Sequence, residues 1–98
     1  MTSPLPAASG CLPLEGELTI REAALVHERL SAALDAGTTV LDLSAVTELD
    51  SAGVQLLAAW ARSLADRGAR LQLRAPSEAV VSVCRTYGLD DWLATAAA

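Results

Sequence analysis

No lysine occurs anywhere in this chain; all seven of its basic residues are arginine. A phosphate-loop lysine, a Schiff-base lysine and the active-site lysine of receiver domains are therefore excluded. Histidine is almost as scarce, with His27 alone, and Cys11 and Cys84 stand far apart without metal-type spacing. A zinc site would run short of soft ligands, so no metal is expected. Reduced thiols and a cytoplasmic location are the expectation, with Cys84 acting as a small buried hydrophobe. Runs of basic residues are missing too, and the formal net charge is -5. Nucleic acid and anionic membrane surfaces are held by clustered cations, so neither is an expected partner; a basic protein patch suits the chain better. The opening MTSPLPAASG has no positive start and no long apolar run, so neither a signal peptide nor a membrane anchor is expected there.

What is present is material for a core. With 52% hydrophobic residues, the 98-residue chain makes one compact domain and leaves little for a lid or a second unit. A flexible segment is expected over 1–10, a domain over 11–95 and a frayed tail over 96–98. GCLPLEGEL reads as a strand that Pro13 confines to an edge or makes irregular. In LTIREAALVHERLSAALDAG, Thr19 and Glu22 have capping-box spacing and Gly37 supplies a left-handed stop, so a helix is expected between them. Ala23, Val26, Leu30, Ala33 and Leu34 give it an apolar face, which His27 borders as a partly buried spacer.

TTVLDLSAV reads as a strand filled by Val40, Leu41 and Leu43. From Ala52 to Asp66 the apolar positions Val54, Leu57, Ala58, Ala61, Leu64 and Ala65 recur at helical spacing, and Gly68 ends the run. ARLQLRA alternates as a strand with one covered face, Leu71 and Leu73 inward. Pro76 and Ser77 open a further helix with Val80, Val83, Cys84 and Tyr87 on its buried stripe, closed by Gly88. Leu89, Trp92 and Leu93 are expected to fold back onto the core. Strands alternating with helices imply parallel pairing, hence an α/β fold with a small, mostly parallel sheet packed with helices.

The ordered blocks LDLS, DSAG, RGARLQL, PSEAV and YGLDD, spread over nearly all of the chain after Leu14, resemble a STAS domain. That is the fold of bacterial anti-sigma factor antagonists and of the cytoplasmic portions of sulfate transporters. In the antagonists the serine directly after the motif's aspartate is phosphorylated by a partner kinase, and that position here is Ser51. The resemblance thus implies a non-enzymatic module that binds a serine kinase or anti-sigma factor and is switched at Ser51. Two departures bear on the branch. Ala52 stands where the antagonists carry a second serine, and Gly53, Val54 and Gln55 stand for their Gly-Leu-Gly run. DSAGVQLL is closer to STAS proteins of chemotaxis-type gene clusters and to the small STAS subunit of a bacterial ABC lipid-transport complex. The alternative is therefore an accessory subunit docking on the transporter's ATPase.

The segment Asp50, Ser51, Ala52, Gly53 is the expected motif and anion site. Asp50 or Ser51 caps the helix, and Gly53 allows close packing of the turn. Around it Glu48, Gln55, Leu56 and Trp60 are candidate partner contacts; Leu56 and Trp60, one turn apart, either meet a partner or pack against a neighbouring helix. Asp42 and Ser44 at the end of the preceding strand are expected to shape an acidic rim, or to make the turn. A Ser51–His27 pair can be written down, but no nucleophile-elbow or oxyanion motif accompanies it, so no enzyme is expected. Without a phosphate-cradling glycine loop, nucleotide binding is only weakly supported and no cofactor is expected. Composition leaves the oligomeric state open.

Overall fold

The computed structural model describes residues 11–96, with side chains described as far as Ala94. The expected segment 1–10 and residues 97–98 of the expected tail lie outside that range, while Ala96 is the last residue of a helix. Three strands, β1 (Cys11–Leu18), β2 (Val40–Leu49) and β3 (Gln72–Arg74), form a sheet in the order β1-β2-β3, and both pairings are parallel. Helices α1 (Ala23–Asp35), α2 (Ser51–Asp66), α3 (Glu78–Thr86) and α4 (Asp90–Ala96) provide the covering layers, and a single 3-10 turn, Ile20–Glu22, leads into α1. The α/β class with a parallel sheet is as the alternating periodicity requires.

Pro13 sits on β1, an edge strand among the described residues, and the pairing register slips between Pro13 and Glu15. A residue without an N–H is tolerated there because that side of the ladder is not fully used. A second slip lies between Gly16 and Glu17. At each slip β2 advances one residue more than β1, so β2 carries two bulges. They explain why its inward residues Leu43, Val46 and Leu49 recur every third position: each bulge returns the next apolar side chain to the buried face. The strand therefore runs on to Leu49, beyond the reach of its simple alternation.

Helix α1 buries Val26, Leu30 and Ala33, and ends as its sequence predicts. Gly37 adopts φ +82°, its N–H donates to the Leu34 carbonyl, and the Thr38 N–H donates to the Ala33 carbonyl at 2.9 Å. This bond pair satisfies carbonyls the helix leaves open, and it needs a residue that accepts a left-handed backbone. The start of α1 differs from the capping-box expectation. Neither Thr19 nor Glu22 caps through its side chain; the Thr19 hydroxyl donates instead to Glu17 Oε1 at 3.2 Å. His27 is exposed rather than partly buried.

Helix α2 buries Gly53, Leu57, Trp60 and Leu64. Trp60 is only 4% exposed and its indole N–H donates to the Leu30 carbonyl at 2.8 Å, so it fastens α2 to α1. Its expected role as a partner contact is thereby corrected: burial leaves no ring surface to offer, and the polar edge is already satisfied. The stripe Val54, Ala58, Ala61 is rotated to the flank of the buried line and only partly covered. Ser77 caps α3, accepting from the Val80 N–H at 3.3 Å, and Val80 and Cys84 are fully buried. Tyr87, expected on that stripe, is half exposed because it is already the C-terminal cap, where the Gly88 turn diverts the chain. Leu93 is buried, and Leu89 and Trp92 pack against the same core.

Candidate functional site

The β2–α2 junction is organised by Asp50. It holds an extended backbone, and each of its carboxylate oxygens accepts one backbone N–H. Oδ1 takes the Gly53 N–H at 3.0 Å, capping the first turn of α2, and Oδ2 takes the Ile20 N–H at 3.0 Å from the turn before α1. The Asp50 N–H donates to the Leu18 carbonyl at 3.3 Å, and its carbonyl accepts from the Val54 N–H at 3.0 Å. One residue thus joins the end of β1, the Ile20 turn and the start of α2. Bonds to the charged carboxylate, first from Ile20 and then from Gly53, hold its pKa below the ordinary value of 3.8. Of the two residues that could cap α2, Asp50 does so.

Gly53 is required by space. A Cβ built on it would collide with the Leu18 carbonyl oxygen and come within 2.6 Å of Leu49 Cδ1. No larger residue lets α2 start so close against the end of β1. Ser51 is exposed at the first position of the 16-residue helix, and Ala52 is half-buried behind it. The serine hydroxyl stands free for chemistry because the capping oxygen belongs to its neighbour. Backbone N–H groups left open at a helix start, together with the positive end of its dipole, favour an anion there.

Glu48 and Gln55 are exposed at this corner, and Leu56 is half-buried. Ala23, Ala52, Gln55, Leu56, Ala59 and Arg62 line an open groove of about 620 Å³ that runs from the corner along α2, with the first residue of α1 at its side. Asp42 and Ser44 are not at this corner. They lie inside β2, where Asp42 Oδ1 accepts the Ser44 N–H at 2.9 Å and Asp42 is level with Pro13 and Arg74 on the neighbouring strands. Because the bulges carry β2 on to Leu49, five more strand residues, about 17 Å, lie between Ser44 and the strand end before Asp50 caps the helix that Ser51 begins. The acidic rim is therefore made by Glu48 and Asp50, without Asp42. Bonds from the Ser44 backbone and hydroxyl, helped by Arg74, lower the Asp42 pKa, which suits a local brace in the bulged strand.

His27 lines a narrower groove beside Leu56, Ala59, Trp60 and Ser63. That groove begins at Leu56, five residues or about 7.5 Å along α2 from Ser51, and no hydrogen bond joins Ser51 to His27 among the described residues. Among the described residues no three His, Cys, Asp or Glu side chains gather as a metal site. No described helix is long and apolar enough to cross a membrane.

Ile20 escaped the periodicity because it belongs to no apolar stripe. It is 71% exposed, and its backbone is bonded to the Asp50 carboxylate. The sequence signal that could have placed Trp60 was present: Gly53, Leu57, Trp60 and Leu64 follow a spacing of four, three and four.

No functionally curated protein matches this chain. A solved structure of the anti-sigma factor antagonist SpoIIAA in its unphosphorylated form is similar, with a TM-score of 0.65 and 27% identity over 84% of this chain and 74% of that one. The family model described as "Mlab, STAS domain" matches residues 1–95, so the chain belongs to the STAS domain family.

Proposed function

We propose that this protein is a non-enzymatic, cytoplasmic regulatory module of the anti-sigma factor antagonist type, which binds a cognate serine kinase or anti-sigma factor through the Asp50–Ser51 corner and is released when Ser51 is phosphorylated. The observation that carries the reading is the division of labour at the corner: Asp50 supplies the cap while Ser51 presents a free, exposed hydroxyl. The likeness to an antagonist described in its unphosphorylated form supports it. In the kinase step the Ser51 Oγ–phosphorus bond forms as the bond from the terminal phosphoryl group to a nucleoside diphosphate breaks. The hydroxyl proton passes to a base of the kinase.

Magnitudes locate the effect at the interface. A phosphate of charge about -2 gains about 0.3–1 kcal/mol from the helix end, offset by Glu48 and Asp50 nearby, which is too little to refold a domain. Against a kinase, phosphoserine faces the phosphates of the bound nucleotide. Like charges brought together while losing water cost several kcal/mol, equivalent to about a hundredfold or more in affinity. Ser51→Asp is therefore expected to weaken partner binding at an unchanged melting temperature; wild-type affinity in that variant contradicts the switch.

A second reading is an accessory subunit on the ATPase of a bacterial ABC lipid transporter. Ala52 in place of a second serine favours it, as does a family model whose description names Mlab. On that reading the retained partner is an ATPase, and binding is indifferent to Ser51→Ala.

A further inference from the structure

A lone exposed apolar residue ordinarily needs no explanation. Ile20 differs because its backbone is fixed from another element. Its N–H donates to Asp50 Oδ2, Thr19 before it is buried, and the Glu22 N–H closes the turn on the Thr19 carbonyl at 3.0 Å. A β-branched side chain on a pinned turn has little conformational freedom left to lose on binding. Carboxylates stand nearest to it, while Arg29 and Arg62 lie farther along the flanking grooves. Glu17 and Glu48 are level with each other on neighbouring strands, and Glu22 ends the same turn. The turn's one cation, Arg21, is taken up by both oxygens of Glu17 at 3.0 and 3.2 Å. Glu22 and Glu48 form no ion pair among the described residues.

We propose that Ile20 is the apolar anchor of the interface that Ser51 switches, entering a non-polar socket on a partner protein whose rim carries arginine or lysine opposite Glu22 and Glu48. The proposal rests on the interaction-module reading above. Asp50 is its positioning residue, since one carboxylate holds both the turn that carries Ile20 and the helix start that carries Ser51. Side chain and hydroxyl thus reach a partner in fixed relation.

The test uses the protein that the wild-type chain retains from its native cell extract, purified and titrated calorimetrically with wild type, Ile20→Ser, Tyr87→Ser and Ser51→Asp. Tyr87 is the control, 50% exposed at the end of α3 and away from the grooves that flank Ile20. Ile20→Ser is expected to weaken binding by about 10- to 100-fold at an unchanged melting temperature, and Tyr87→Ser by less than about threefold. Raising salt from about 50 to 500 mM is expected to weaken wild-type binding tenfold or more. Wild-type affinity in Ile20→Ser overturns the anchor, and salt-indifferent binding overturns the cationic rim. If Ser51→Asp alone weakens binding, the switch stands and the anchor falls; if Ile20→Ser alone does, the anchor stands and the switch falls. Retention of no protein overturns both.

Discussion

Gly53 shows how much one hydrogen atom can decide. The helix that presents Ser51 begins within touching distance of the Leu18 carbonyl, and a methyl group has nowhere to go. Gly53→Ala is expected to lose at least about 2 kcal/mol by urea denaturation, since the obstructing atoms include backbone. An equal midpoint would show that the corner can relax. Trp60 carries the matching argument on the other side of α2. It is 4% exposed and its indole N–H is bonded to Leu30, so Trp60→Ala is expected to cost about 3–5 kcal/mol. Part of that is the indole bond to the Leu30 carbonyl, which keeps its own helical bond; Trp60→Phe would isolate this part at about 0.5–1.5 kcal/mol. A variant with wild-type stability would return Trp60 to the surface.

At the scale of elements, Asp50 is the joint between β1, the turn before α1 and α2. Its folded pKa is lowered, so it contributes stability that is present above the unfolded carboxylate pKa and is lost as pH falls through the folded one. Melting temperature is expected to drop as pH falls below about 4, and to do so less steeply in Asp50→Asn, which is already less stable at neutral pH. Parallel pH profiles for the two proteins would contradict the assignment. The same joint marks what was legible in the sequence. Local signals held: the glycine stop of α1, the Ser77 cap of α3, the alternation that buries Leu71 and Leu73. The capping box at Thr19 did not form, because the Glu22 N–H closes the turn on the Thr19 carbonyl and the Thr19 hydroxyl is turned to Glu17; beside them the Ile20 N–H goes to a carboxylate thirty residues away, a contact no local pattern contains. The bulges of β2 were hidden likewise. A spacing of three between Leu43, Val46 and Leu49 matches neither period until the partner strand is known, and this misplaced Asp42 and Ser44 at the corner. Asp50, Ser51 and Gly53 were readable because strand, cap and helix start are adjacent in sequence; Ile20 was not, because only the fold brings it there.

At the scale of the whole molecule, the parallel sheet and its helices form one continuous core, and the bonds of Asp50 brace the corner at its edge. A switch built on such an edge acts on what binds it. The central claim is that phosphate on Ser51 changes affinity and leaves the fold intact. The measurement that tests it most directly is calorimetric titration of the purified partner kinase or anti-sigma protein with the unphosphorylated and the Ser51-phosphorylated protein, with both melting temperatures recorded. The account predicts a loss of affinity of about a hundredfold or more, with melting temperatures agreeing within about 2 °C. Equal affinities, or a loss accompanied by a fall of more than about 5 °C, would contradict it.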